Sequence, residues 1–154
     1  MDAVFKTNQG VFNFRTAGIW IKNNHVLLHK IVGDDFWALP GGRVKIMEES
    51  QNAVQREMKE ELDVQVKVER LLWTVENFFT YNSKNFHELG FYYLISSAEQ
   101  YEIQAQEFFG IEGEKFIYKW MPLNELEAVT MYPEFLKVEL RHIPNYPKHM
   151  VVKQ

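Results

Sequence analysis

Apolar and polar positions alternate in short stretches along most of this chain, and one stretch breaks the alternation with a helical period. Phe12 to Ile21 reads as extended, and Asn23-Asn24 as a tight turn into a second strand, His25 to His29. A hairpin therefore opens the fold. Gly33-Asp34-Asp35 is a loop. Phe36 to Leu39 is a short strand running into Pro40-Gly41-Gly42, whose composition argues against regular structure. A helix is predicted from about Ser50 to Leu62, with Val54, Met58 and Leu62 forming an apolar stripe at i, i+4, i+8. Val64, Val66, Val68, Leu71, Trp73 and Val75 then predict a long strand from Val64 to Phe79. Thr80 to Lys84 is a polar loop, and Phe86 to Ile95 a further strand rich in aromatics. Ser96 to Gly113 is acidic, mixed and without a period. Lys115 to Met121 reads as a strand. Pro122 to Glu127 reads as a helix start, with Asn124 and Glu127 at capping-box spacing. Tyr132 to Leu140 is expected to form the last helix, and the tail after Pro144 to be irregular. Strands around a central helix, with helices late in the chain, predict an α/β fold in which a mixed sheet packs between helices.

The length of 154 residues suits one domain spanning 1–154, and neither a repeat nor a linker divides it. Apolar residues at 46% and charged residues at 25% are the balance of a globular chain. A net charge of −4 argues against general nucleic-acid binding. Phosphates remain possible ligands if a cation sits between. The chain has no cysteine, which excludes disulfides, thiolate zinc sites and cysteine nucleophiles and is compatible with a reducing cytoplasm, the expected location. No basic segment followed by an apolar run opens the chain, so no signal peptide is read, and no apolar stretch approaches the ~20 residues of a membrane span.

On a wheel at ~100° per residue, Glu57, Glu60 and Glu61 fall within an arc of roughly 100° that borders the apolar stripe. Local rules disfavour this. Glu57 and Glu61 repel at i, i+4 by about 0.2–0.5 kcal/mol. Glu60 and Glu61 also sit in the last turn, where the helix dipole opposes anions by ~0.3–1 kcal/mol. A divalent cation would reverse both effects. Oxygen ligands without His or Cys suit magnesium or manganese rather than zinc. The competing reading is a solvated face paired to Arg56 and Lys59. Gly41-Gly42 lets the backbone turn sharply and a ligand approach closely, and a carbonyl there can add a metal ligand.

These residues resemble the Nudix box, G-x5-E-x7-R-E-U-x-E-E-x-G-U, with U aliphatic. Gly42, Glu48, Arg56, Glu57, Met58, Glu60, Glu61 and Val64 match it in register over 23 residues. Asp63 stands where the pattern has glycine; this is the helix exit, where a left-handed residue is common and Asp is tolerated. The flanks also look right: a hairpin before Leu39-Pro40-Gly41-Gly42, and Trp-Met-Pro-Leu-Asn-Glu-Leu at 120–126. The resemblance implies a Nudix-type α/β/α sandwich. It implies metal-dependent hydrolysis of a pyrophosphate bond in a nucleoside diphosphate linked to another group, with Mg2+ or Mn2+ as cofactor. It assigns the metal to Glu57, Glu60, Glu61 and the Gly41 carbonyl, gives Glu48 a structural role, and has Arg56 orient a catalytic carboxylate. Glu57 is one candidate base. Glu114, six residues before Trp120, is the candidate second acid, with Glu112 as its alternative and a solvated acidic loop as the bland reading. The alternative function is a catalytically silent nucleotide-binding or regulatory module, and many relatives form homodimers.

For the substrate, Arg43 follows the glycines and is placed to contact phosphate, or else to pair with a nearby acid. Phe78, Phe79, Tyr81 and Phe86 cluster around one loop, and Phe79 and Tyr81 are candidates to stack a base, although strand aromatics more often pack in a core. By resemblance, a tyrosine at the offset of Tyr81 hints at dinucleoside polyphosphates. His25, His29 and His87 lie in predicted strands and read as ordinary strand residues. The expected partner is a small nucleotide.

Overall fold

The computed structural model describes residues 1–154. Twelve elements follow in order: β1 (Val4–Lys6), β2 (Val11–Lys22), β3 (His25–Ile31), β4 (Gly41–Arg43), α1 (Ser50–Leu62), β5 (Lys67–Tyr81), β6 (Lys84–Ser96), β7 (Phe108–Phe109), β8 (Phe116–Pro122), a 3-10 helix (Leu123–Ala128), α2 (Leu136–Glu139) and β9 (Lys148–Lys153). The strands join in one mixed sheet, ordered β7-β8-β3-β2-β6-β5-β9.

β2 organises it. Along one edge it pairs in parallel with β6, from Val11 opposite Phe86 to Trp20 opposite Ile95. Its other edge is shared by β1, then β4, then β3. The side-chain alternation of β2 splits two cores. Ala17 and Ile19 join Leu28, Trp73, Tyr92 and Met131 on one face. Trp20 joins Leu27, Tyr93, Trp120 and the α1 residues Val54, Met58 and Leu62 on the other. The 3-10 helix and α2 supply Leu126, Leu136 and Leu140 to the first core. The expected sandwich is therefore present, with α1 as its only long helix.

Several elements differ from expectation. Gly41–Arg43 is a strand, antiparallel to Ala17–Arg15. Neither glycine takes positive φ; the reversal falls instead at Met47, with φ 67°. The glycines serve close approach: a Cβ on Gly41 would collide with the Thr16 carbonyl. Phe36 to Leu39 is not a strand. Ala38 bridges β3 at His29 while Trp37 bridges Met131, so successive residues serve different neighbours. The strand expected from Val64 begins at Lys67; Val64 and Val66 pack under α1. Thr80 to Lys84 is a hairpin turning on Asn82 and Ser83, both at positive φ. The capping box does not form, and no side chain caps the 3-10 helix. The last helix shrinks to one α turn, preceded by i→i+3 bonds from Pro133 onward. The tail forms β9, parallel to β5. No helix is long and apolar enough to cross a membrane.

Candidate active site

The loop from β4 to α1 closes around one guanidinium. Arg56 donates from Nε to Glu48 Oε2 (2.7 Å) and from Nη2 to Glu48 Oε1 (2.9 Å) and the Arg43 carbonyl (3.1 Å). Its Nη1 donates to Glu57 Oε1 (2.8 Å) and Glu60 Oε2 (3.3 Å). Such a fork matches a carboxylate bidentately, which lysine does not. Glu48 also accepts the Lys45 N–H at 3.0 Å. Arg56 above all holds the Glu48 carboxyl down at about 2, so it is ionised. Glu48 thus ties loop to helix, and Arg56 fixes one oxygen of Glu57.

The three helix acids are graded by burial. Glu60 is exposed, Glu57 is half-buried and Glu61 is only 5% exposed. Burial raises the Glu57 carboxyl, against Arg56. It raises Glu61 to about 7, against a hydrogen bond from Tyr118 Oη at 2.9 Å. Gly42 makes room for this: a Cβ there would collide with the Glu57 carboxylate. At the helix end Asp63 is left-handed, φ 54° and ψ 38°, and its N–H reaches the Lys59 carbonyl. Beyond it Ile111 donates its N–H to the Glu61 carbonyl at 2.8 Å, which docks the β7–β8 loop on the helix end.

Glu112 and Glu114 are both exposed on that loop. Of the two, Glu112 is the one whose charge raises both Glu61 and Tyr118. Tyr81 and Phe79 line a cavity of about 520 Å³ that reaches Gly41. Phe78 turns away and stacks on His87 with ring centres 4.5 Å apart. Arg43 is outside that wall and lies opposite Arg15 in the β2–β4 ladder. His29 is buried, stacked on Phe116 at 4.7 Å, and its Nδ1 lacks a partner. Burial above all lowers it to about 3, so it is neutral.

Sequence reasoning missed Arg15, Asn77 and Glu88, all of which line the cavity. Arg15 donates to the Leu39 carbonyl at 3.3 Å. Burial raises the Glu88 carboxyl as it does those of Glu57 and Glu61, and the Arg15 charge opposes the shift at all three. The signal was alternation: Arg15 shares its side of β2 with Ala17 and Ile19, and Glu88 shares its side of β6 with Tyr92.

The donor set fits a hard cation. Glu57 and Glu61 are carboxylates whose burial opposes their charge, one helical turn apart, beside a backbone kept bare by glycine. No three acidic or histidine side chains converge around a single point, and Arg56 engages Glu57 and Glu60.

The NUDIX domain family model matches residues 13–142, and the chain belongs to this family. Solved structures agree on the fold. A MutT NUDIX hydrolase from Burkholderia pseudomallei is 23% identical with a TM-score of 0.60, covering 83% of this chain and 96% of that one. An ADP-ribose pyrophosphatase from Streptococcus suis is 15% identical with a TM-score of 0.55, covering 90% and 98%. A UDP-X diphosphatase is 17% identical with a TM-score of 0.58; the match covers 90% of this chain and 66% of that longer one. A search of curated proteins by sequence found no match.

Proposed function

We propose that this chain is a metal-dependent pyrophosphohydrolase acting on a nucleoside diphosphate linked to a second group. The observation that carries the reading is the pair Glu57 and Glu61 with burial-raised carboxyls, Glu57 packed on Gly42 while the adjoining Gly41 lines the cavity that holds Arg15. The names of two structural neighbours, an ADP-ribose pyrophosphatase and a UDP-X diphosphatase, point to the same substrate class.

Glu57, Glu60, Glu61 and the Gly41 carbonyl would hold Mg2+ or Mn2+, which when bound supplies charge neutralisation at phosphate oxygens and an activated water. Arg56 holds Glu57 Oε1, and Oε2, which takes no protein hydrogen bond, is free to accept a proton from water. Arg15 contributes positive charge for the phosphates at the cavity end near Gly41. The β7–β8 loop brings the second acid; Glu114 and Glu112 are its candidates, and Glu112 is favoured by its electrostatic reach to Glu61.

Incubation with magnesium and a panel of nucleoside triphosphates, nucleotide sugars and dinucleoside polyphosphates tests this. Release of a nucleoside monophosphate or of phosphate, abolished by chelator, is expected. Nucleotide binding without any release would leave a binding module instead.

A further inference from the structure

Three central strands place a row of polar side chains beneath the cavity. In register, Asn13 of β2 stands opposite Glu88 of β6, and Glu88 opposite Asn77 of β5. All three are buried, at 3%, 9% and 5% exposure. They lie on the face of the sheet that elsewhere carries Ala17, Tyr92 and Val75. Polar groups in such a position cost free energy unless their hydrogen bonds are made.

Asn77 has a partner: Gln154 Nε2 donates to its Oδ1 at 2.9 Å. Asn13 stands across the ladder from Glu88, and its amide favours the ionised carboxyl. Glu88 remains short. A carboxyl group has two oxygens with about four acceptor sites, and one amide uses only part of that capacity. No salt bridge reaches it; Arg15, in the same cavity, donates to the Leu39 carbonyl and acts on Glu88 through its charge alone. Glu88 lines the cavity together with the aromatic residues Phe36, Phe79 and Phe116 and with the polar Arg15 and Asn77. Aromatic surface with a few convergent polar groups describes a site for a planar, hydrogen-bonding ligand.

We propose that Glu88 is the specificity-determining acceptor for the substrate's nucleoside, receiving two adjacent hydrogen-bond donors from it. Those donors are either the N1–H and N2–H of a guanine or the 2′- and 3′-hydroxyls of a ribose. The assignment rests on the pyrophosphohydrolase reading only for taking the ligand to be a nucleotide. A site built to pair with such donors rejects analogues that lack one, because a buried acceptor is then left unmade.

Calorimetric titration in chelator measures binding without turnover. The probes are guanosine, inosine and 2′-deoxyguanosine 5′-monophosphates, against the wild-type chain and Glu88→Gln. One analogue is expected to bind about 10- to 100-fold more weakly than guanosine monophosphate. Weakened inosine monophosphate identifies the base edge; weakened deoxyguanosine monophosphate identifies the ribose. Glu88→Gln, with one acceptor and one donor, is expected to erase that difference. Equal affinities in the wild type, no binding of any probe, or discrimination that survives Glu88→Gln would each overturn the proposal. If Glu88→Gln does not give a cooperative thermal melt, the wild-type panel decides alone. Turnover assayed separately keeps the two readings apart: hydrolysis with no role for Glu88 sinks only this one, and discrimination by Glu88 without hydrolysis sinks only the enzyme.

Discussion

At the scale of single residues, the proposed reaction rests most on Glu57 and Glu61, and their neutral isosteres separate charge from shape. Glu57→Gln and Glu61→Gln should each lower metal-dependent turnover by about 100-fold or more while leaving the circular dichroism spectrum unchanged. Full activity in either would remove that residue from the mechanism. His29 offers a different test. Its folded pKa, about 3, lies below the unfolded value of 6.5, so the unfolded chain binds the extra proton between those limits. Stability should therefore fall as the pH drops below about 6.5, by up to about 5 kcal/mol on reaching pH 3. His29→Phe keeps the stack on Phe116 and has room in the adjoining cavity. Denaturant melts from pH 7 to 4 should show a shallower acid slope for the variant, once carboxylate titration common to both chains is subtracted. An identical slope would mean that His29 is protonated without cost.

Among the elements, α1 shows how the site shapes local structure. It has no acid in its first turn, Lys59 as the basic residue of its last, and Glu60 and Glu61 also in that last turn. Arg56 compensates by binding Glu48, Glu57 and Glu60 at once. The exit at Asp63 holds a residue with a Cβ in the left-handed region, which Asp tolerates at less than the ~1–2 kcal/mol other side chains cost there. Its exposed ion pair with Lys59 offsets little of this. Asp63→Gly should relieve the strain, less the greater entropy of an unfolded glycine, for a net gain of about 0.5–1 kcal/mol. A lower thermal midpoint for Asp63→Gly would show that the aspartate stabilises the exit by other means.

For the whole molecule, β9 connects the end of the chain to the cavity. It covers the outer edge of β5 from Trp73 to Phe78, and Gln154 hydrogen-bonds both Phe78 and Asn77. Removing residues 148–154 would bare that edge and withdraw the half-buried Met150 and Val152. A loss of about 2 kcal/mol is expected from the apolar burial. Concentration-dependent association should follow, because an uncovered edge strand recruits other chains. Chemical denaturation and light scattering of the truncated chain measure the two effects. Unchanged stability in a monodisperse sample would show that β9 is dispensable.

The box from Gly42 to Val64 was legible because its spacing is a local property: a helix period alone puts Glu57, Glu60 and Glu61 on one edge and Arg56 beside Glu60. The opening hairpin was equally legible, since Asn23-Asn24 and the flanking alternation act over a few residues. What sequence could not supply was pairing at a distance. Gly41–Arg43 is a strand only because β2 lies alongside it, β9 only because β5 has a free edge, and Ala38 and Trp37 divide between two neighbours that lie far apart in the chain. The same holds for the candidate site. Arg15, Asn77 and Glu88 come from three strands, and only the register of the sheet brings them to one cavity, where removal from water gives ordinary polar side chains their leverage.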